Sequence, residues 1–538
     1  MIIRALTIEN FKVIREPVRV EFKPITLLFG PNSAGKSTIV QALHYAREIL
    51  ERNNLDVDRT VGTDESFDLG GFNNLAHKHD LNLPIKLKFE LSFSPLADIS
   101  DFLTGKVDNA WIEFGIKWSN FLDAPLVISC TIGLDGEHFA GIVCAEDGKR
   151  ARITDINFEH HMITKSEVEL DGGNVVFKDI LAAMVTAVKQ EFLFSKDKSK
   201  ADSSIAQGPT IKLEPQLFID QQTALPRYVR LNDEIRKEDE PETEKTISDP
   251  YEEGLSAWEM LNDFFQTYFG GLTSVLRDEL RKFRYIGPIR KTPPRFFAPV
   301  RVEDESRWTS GLAAWDVLHK ADESFILKTN NWLANESRLN SGYRLEVKKY
   351  KELDTSGSVW LSLTSKELLF DDEEAIEEIK RLPEKKRIFL RDETNGIEVL
   401  PQDVGIGISQ VLPVIVVALH SNNGIVAIEQ PELHIHPAFQ VALGDLFISQ
   451  VKEQDVCFLL ETHSEHLLLR LMRRIRQTAE GELPPAAPEL NPDDLAIHYV
   501  EQTAEGMQIS MIQVDREGDF IDKWPRGFFP ERFEELYR

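Results

Sequence analysis

The feature that most constrains the fold is a glycine-rich loop between an apolar run and a segment with helical spacing. Residues 25–29 form the apolar run, residues 30–38 contain the pattern G-x-x-x-x-G-K-S, and residues 38–50 carry apolar side chains at helical spacing without Gly or Pro. A strand, such a loop and a helix in direct succession form a P-loop, whose backbone N–H groups surround a phosphate. The pattern predicts that the phosphates of a purine nucleoside triphosphate, ATP, bind to Gly30, Pro31, Asn32, Ser33, Ala34, Gly35, Lys36, Ser37 and Thr38.

Two further apolar runs near the other end of the chain each end in polar side chains. Residues 424–428 lead into Glu429, and residues 456–460 lead into Glu461-Thr462-His463-Ser464. Parallel strands present their carboxyl ends at one edge of a sheet, so Glu429 and His463 are expected beside the P-loop. An acid after a buried strand holds Mg²⁺ through water, and the P-loop hydroxyl binds the same ion. Ser37 and Glu429 are therefore the predicted magnesium residues.

Composition excludes several classes of protein. No stretch approaches the roughly 20 apolar residues that span a bilayer, so no membrane partner is expected. Three cysteines in 538 residues indicate no disulfide framework, which favours a reducing cytoplasm. A net charge of −27 opposes non-specific nucleic-acid binding over most of the surface. Two modest basic clusters, residues 281–295 and 470–474, leave contact with DNA or RNA open, although a solvated face is favoured.

These motifs resemble the ABC-type ATPases, in the cytosolic branch that includes RecF, the SMC proteins and the OLD family. The resemblance consists of the P-loop, the run Glu429-Gln430-Pro431-Glu432-Leu433-His434-Ile435-His436-Pro437 and the run Glu461-Thr462-His463-Ser464. Residues 403–410 occupy the position of the signature motif, and residues 518–529 are similar to a C-terminal domain of unknown function in prokaryotic ATPases of this branch. The resemblance implies an α/β ATPase head with a mixed P-loop sheet, an antiparallel β lobe and an inserted, largely helical region.

The domain boundaries follow from this assignment. Alternating runs from about residue 85 to 143 predict an antiparallel meander, and residues 177–194 have helical spacing. We expect residues 1–170 to form the N-terminal part of the head, 171–285 a mainly helical insertion with flexible linkers, 286–480 the C-terminal part of the head, and 481–538 a small domain that completes it.

The resemblance also implies roles for single residues and a dimer. Ser409 and the backbone near Gly405 and Gly407 would contact the γ-phosphate of ATP held by a second subunit, in a head-to-tail homodimer or higher oligomer. His463 would be the switch histidine on the γ-phosphate. The turn from His434 to His436 would lie at the dimer interface.

One departure from the family concerns hydrolysis. The family usually has a second acid after the Walker B residue, and this chain has Gln430 there. An amide can orient water but accepts no proton, so slow or effector-stimulated hydrolysis is expected. Glu432 is the nearest candidate to replace the acid. The predicted catalytic residues are therefore Glu429, Gln430, Glu432 and His463.

Three functions remain open from the sequence. The first is a dimerising ATPase that regulates a partner effector, a nuclease or toxin encoded nearby, in bacterial anti-phage defence. The second is a RecF-like ATPase of DNA repair or maintenance. The third is a scaffold that assembles partners when it binds ATP and does not hydrolyse it.

Overall fold

The computed structural model describes residues 3–57, 69–93, 107–149, 151–164, 167–170, 173–176, 211–219, 222–227, 229–230, 262–300, 306–357, 360, 364, 373–504 and 506–525. The predicted helix over residues 177–194 and most of the predicted insertion lie outside these residues. Within the described part, no helix is both long enough and apolar enough to cross a membrane.

Runs of consecutive strands and runs of helices follow one another along the chain. The strands are β1 (Ile3–Glu9), β2 (Val18–Glu21), β3 (Ile25–Phe29), β4 (Ile85–Ser92), β5 (Asn109–Ser119), β6 (Ala124–Leu134), β7 (Glu137–Cys144), β8 (Ala151–Ile156), β9 (Glu167–Leu170), β10 (Gly173–Val176), β11 (Ile211–Ile219), β12 (Arg284–Ile286), β13 (Tyr343–Tyr350), β14 (Lys385–Asp392), β15 (Ile397–Val399), β16 (Asn423–Glu429), β17 (Asp455–Glu461), β18 (Leu495–Thr503) and β19 (Gly506–Ile512). The helices are α1 (Lys36–Arg47), α2 (Gly71–Leu75), α3 (His161–Thr164), α4 (Gly271–Arg281), α5 (Ser306–Thr309), α6 (Leu312–Lys320), α7 (Glu323–Leu333), α8 (Glu373–Arg381), α9 (Ile406–His420), α10 (Pro437–Glu453) and α11 (Glu465–Glu480). Short helical turns occupy Glu48–Arg52, His77–His79, Gln266–Gly270 and Pro492–Asp494.

The larger sheet is antiparallel throughout. Its strands follow the order β11-β8-β7-β6-β5-β4-β1-β2. In β4, Ile85, Leu87, Phe89 and Leu91 are buried while the residues between them are partly exposed. This period of two produces a sheet with one apolar and one solvated face. The antiparallel lobe predicted from the alternating runs is confirmed, and it also takes in β11 from within the segment 171–285.

The second sheet positions the P-loop. Its order is β12-β16-β17-β3-β18-β19, and its neighbours are parallel except for the antiparallel pair of β18 and β19. The P-loop strand β3 therefore lies between β17 and β18. The predicted α/β class with a mixed P-loop sheet is confirmed. The C-terminal strands complete this sheet directly beside β3.

The mixed sheet separates two hydrophobic cores. In β17, Cys457 and Leu459 belong to the core shared with the antiparallel sheet and α1, while Phe458 and Leu460 belong to the core formed with α9, α10 and α11. Trp524 belongs to the second core and packs on Phe29, with ring centroids 5.4 Å apart. Because both faces are covered, these strands are continuous apolar runs in the sequence.

Candidate functional site

The P-loop backbone adopts conformations that require glycine at two positions. Gly30 has a φ of 143°, and a Cβ added there would lie 2.0 Å from the carbonyl oxygen of Val500 in β18. Gly35 has a φ of 103° and immediately precedes α1. Between them, Pro31, Asn32 and Ser33 are exposed and Ala34 is buried, and Thr38 in the first turn of α1 is also buried. The loop therefore presents exposed backbone at the N-terminus of α1, where an anion is favoured.

Lys36 lies inside this loop. Its side chain is 3% exposed, and its Nζ donates to the carbonyl oxygens of Gly30 at 3.0 Å and Pro31 at 2.9 Å. The same Nζ is 3.7 Å from Oε1 of Glu461. Burial lowers the pKa of Lys36, and the Glu461 carboxylate opposes that shift. These contacts hold the Lys36 ammonium against the loop backbone, and the oxygens of a bound phosphate can replace them.

Two glutamates end neighbouring strands beside this loop. Glu429 is the last residue of β16 and is paired in register with Glu461, the last residue of β17. Burial together with the Glu461 charge raises the pKa of Glu429 to about 7, and the neighbouring Tyr285 and Ser37 hydroxyls oppose that shift. Ser37 Oγ also lies 2.9 Å from Oε2 of Glu461. Ser37 and Glu429 are therefore brought together as predicted, and Glu461 joins them.

Gln430 and Glu432 occupy the turn after β16. Gln430 has a φ of 45°, a left-handed conformation that is strained for a residue other than glycine, and its N–H donates to the carbonyl oxygen of Glu461 at 2.7 Å. Glu432 accepts from the Thr462 hydroxyl at 2.9 Å and from the His463 N–H at 2.7 Å. Both Glu432 oxygens hold the end of β17, so its geometry favours a positioning role over replacement of the second acid.

His463 begins the turn between β17 and α11, on the same edge. It is half-buried, and burial together with the Lys36 charge lowers its pKa, which favours the neutral ring at pH 7. His434 and His436, predicted to lie at a dimer interface, are both exposed. His436 caps α10, where its Nδ1 accepts from the Ala438 N–H.

The signature segment opens α9. Gly405 is its exposed N-cap and Ile406, the next residue, is 58% exposed, whereas Ser409 is only 4% exposed and its hydroxyl donates to the Ile406 carbonyl at 2.9 Å. A Cβ added at Gly407 would lie 3.1 Å from the carbonyl oxygen of His434, so this turn packs on the segment after β16. The exposed part of this segment is therefore the first turn of α9 rather than the Ser409 hydroxyl.

Arg290 is a site residue to which the sequence assigned no role. Its side chain is 2% exposed, and it donates to the carbonyl oxygens of Gln410, Glu429 and Gln430. The Gln410 amide exchanges two hydrogen bonds with the Arg290 backbone. Burial lowers the pKa of Arg290 to about 10, which leaves the guanidinium charged at neutral pH. Arg290 therefore joins the signature helix to the turn that follows Glu429.

Replacement of Arg290 by methionine is expected to lower the free energy of unfolding by roughly 3 kcal/mol, because three buried or partly buried carbonyl groups lose a hydrogen-bond donor. The control is Arg295→Met in the same segment. Arg295 is 59% exposed and pairs with Asp403, so its loss should cost under about 1 kcal/mol. Urea unfolding followed by circular dichroism measures both variants. Equal midpoints for the two variants would contradict the bridging role of Arg290.

The sequence matches two protein-family models. The first, described as AAA ATPase domain, covers residues 1–468. The second, described as a protein of unknown function (DUF3696), covers residues 490–538, which contain β18 and β19. No curated protein matches the chain significantly.

Solved structures of SMC head domains overlap with this chain at low sequence identity. An SMC head bound to the C-winged helix domain of ScpA has a TM-score of 0.36 at 10% identity, covering 96% of this chain and 98% of that chain. The SMC head domain from Thermotoga maritima has a TM-score of 0.35 at 9% identity, with coverage of 96% and 100%. An SMC head with an extended coiled coil, bound to the C-terminal domain of ScpA derived from Pyrococcus furiosus, has a TM-score of 0.36 at 11% identity, with coverage of 95% and 97%. Overlap at this level is too loose to support an inference about function.

Proposed function

The chain belongs to the AAA ATPase domain family, and on that premise we propose that it binds ATP with Mg²⁺ at the P-loop and hydrolyses it slowly. The observation that carries this proposal is the convergence at one sheet edge of the P-loop, its buried Lys36 and the strand ends that carry Glu429 and His463. A cradle of backbone N–H groups with a lysine and a hydroxyl is the arrangement that binds a triphosphate.

The residues beside Ser37 fit a magnesium ion. Mg²⁺ prefers oxygen ligands, and the Ser37 hydroxyl lies beside the carboxylates of Glu429 and Glu461 here. When bound, the ion neutralises charge on the β- and γ-phosphates. In the proposed reaction Lys36 leaves the Gly30 and Pro31 carbonyls to bind the phosphates, and His463 contacts the γ-phosphate. Gln430 orients the attacking water.

Two copies are proposed to close head to tail around two ATP molecules. The first turn of α9 supports this, because Gly405 and Ile406 are exposed at a helix N-terminus, which favours an anion. In the closed pair, the N–H groups near Gly405, Gly407 and Ser409 of one copy contact the γ-phosphate held by the P-loop of the other.

Slow hydrolysis is attributed to Gln430, and Gln430→Glu is expected to raise turnover at least about tenfold, because the new carboxylate accepts the proton of the attacking water. The matched control is Gln454→Glu. Gln454 directly precedes β17, at the amino end of the strand whose carboxyl end reaches the site. Phosphate release at saturating ATP measures both. An unchanged rate in Gln430→Glu would show that the missing acid does not limit turnover.

The proposed role of closure is to regulate a partner effector, a nuclease or toxin encoded nearby, in the cytoplasm of a bacterium under phage attack. Support for this role is the family resemblance alone. Co-expression with the neighbouring gene products, followed by co-purification with and without a non-hydrolysable ATP analogue, tests it. An effector that associates equally with and without nucleotide would contradict regulation by closure.

The two other hypotheses have less support. The hypothesis of DNA binding was based on the two basic clusters. However, Arg470 and Arg474 both pair with Asp445, and Arg474 is buried. Arg295 pairs with Asp403. The non-hydrolysing scaffold is distinguished by the phosphate-release assay described above, since it predicts no turnover that depends on the P-loop.

A further inference from the structure

Glu461 contacts two side chains of the P-loop, those of Lys36 and Ser37. Its Oε2 accepts the Ser37 hydroxyl at 2.9 Å, and its Oε1 lies 3.7 Å from Lys36 Nζ. Its side chain is only 10% exposed. The sequence assigns no role to Glu461. In the sequence it is simply the last residue of the strand that precedes His463. The structure makes it the acidic side chain that touches Lys36 and Ser37 together.

The sheet order explains this position. Strand β17 lies between β16 and β3, so its last residue adjoins the P-loop on one side and Glu429 on the other. Glu429 and Glu461 are register partners, and residues paired in this way point to the same face of a sheet. The Ser37 hydroxyl donates to Glu461 and lies beside Glu429, whose pKa it lowers. Three oxygen groups of the type that Mg²⁺ prefers therefore meet at one point.

We propose that Glu461 is a second carboxylate ligand, beside Glu429, for the Mg²⁺ that accompanies ATP, and that its contact with Lys36 couples binding of the ion to binding of the nucleotide. The inference rests on the proposed ATP site and adds a residue and a coupling to it. Both carboxylates are partly shielded from water, where a nearby cation is favoured more strongly than at the surface.

The coupling follows from the contacts of Lys36. Without an ion, Lys36 is held by Glu461 and by the Gly30 and Pro31 carbonyls, and a triphosphate entering the loop approaches two carboxylates. When Glu461 binds the ion instead, it no longer holds Lys36, which then contacts the phosphates. Ion and nucleotide each favour binding of the other by the same factor.

The test is the magnesium dependence of nucleotide affinity in Glu461→Gln. A fluorescent non-hydrolysable ATP analogue is titrated against the full chain, once with excess Mg²⁺ and once with EDTA. In Glu461→Gln we expect weaker binding with Mg²⁺ and tighter binding with EDTA, so that the enhancement by Mg²⁺ falls about tenfold or more. Binding of Mn²⁺ with the analogue, followed by electron paramagnetic resonance, should weaken in parallel and does not depend on turnover.

The matched control is Asp455→Asn, which removes an acid from the opposite, exposed end of the same strand. It should leave the magnesium dependence unchanged. Glu461→Asp keeps a shorter carboxylate and should retain more of the enhancement than Glu461→Gln, which gives a readout if the glutamine variant folds poorly.

A Glu461→Gln variant that keeps the wild-type enhancement by Mg²⁺ would overturn the inference, even if its turnover falls. If the wild-type chain fails to bind the analogue under either condition, the proposed ATP site fails instead. The two failures are therefore distinguishable within one set of titrations.

Discussion

Lys36→Ala is expected to lower ATP turnover at least about hundredfold and to abolish detectable binding of an ATP analogue. Lys36 is the cation of the P-loop, and its Nζ lies against the Gly30 and Pro31 carbonyls that line the phosphate cradle. A charge-assisted hydrogen bond in a shielded site is much stronger than one at the surface, so no neighbouring water replaces it. Phosphate release and fluorescence titration measure the two effects.

The matched control for this variant is Lys23→Ala. Lys23 lies just before β3, whereas Lys36 lies just beyond its opposite end, so the two replacements remove the same charge from the two ends of one strand. The control should keep turnover and binding near the wild-type values. Turnover that survives in a Lys36→Ala variant whose circular dichroism spectrum matches that of the wild type would mean that hydrolysis occurs elsewhere.

Gly405→Glu is expected to weaken ATP-dependent dimerisation by about a hundredfold, because its carboxylate would face the γ-phosphate held by the other copy. The single chain should accept this change. A Cβ added at Gly405 meets no atom within 4 Å, its φ of −58° suits any residue, and an acid at the start of α9 is favourable for the helix. Size-exclusion chromatography with light scattering, with and without ATP, measures the effect.

Gly405→Ala is the control for this replacement, since it adds a side chain without charge. It should dimerise with ATP nearly as the wild type does, while Gly405→Glu should still bind the ATP analogue as a monomer through its own P-loop. Normal ATP-dependent dimerisation of Gly405→Glu would exclude the first turn of α9 as the surface that meets the second nucleotide.

Much of this fold could be predicted from periodicity. The alternating apolar positions of β4 predict an antiparallel strand with one buried face, and the continuous apolar runs of β3, β16 and β17 predict strands covered on both sides. The P-loop could be predicted because Gly30 and Gly35 adopt conformations that other residues rarely take. In each case the constraint is local in the chain.

The parts of the site that sequence reasoning missed depend on contacts between distant segments. The position of Glu461 beside Lys36 follows from the order of β16, β17 and β3, which no local pattern determines. Arg290 is an arginine near other basic residues in the sequence, a pattern that usually indicates a solvated surface. Its burial against Gln410 and the turn after Glu429 is a tertiary feature. The short strand Arg284–Ile286, which ends four residues before Arg290, was the available signal that Arg290 lies near a strand end.

In the proposed dimer, each ATP site combines the P-loop of one copy with the signature helix of another. Mixing Lys36→Ala with Gly405→Glu tests it most directly, because a mixed dimer keeps one intact site, formed by the P-loop of the second variant and the signature helix of the first. Each variant alone should be inactive, and an equal mixture at a concentration that permits the mixed dimer should recover turnover, up to about half of the wild-type value, since each mixed dimer has one of two sites. A mixture that is as inactive as the separate variants, although both fold, would contradict the composite site.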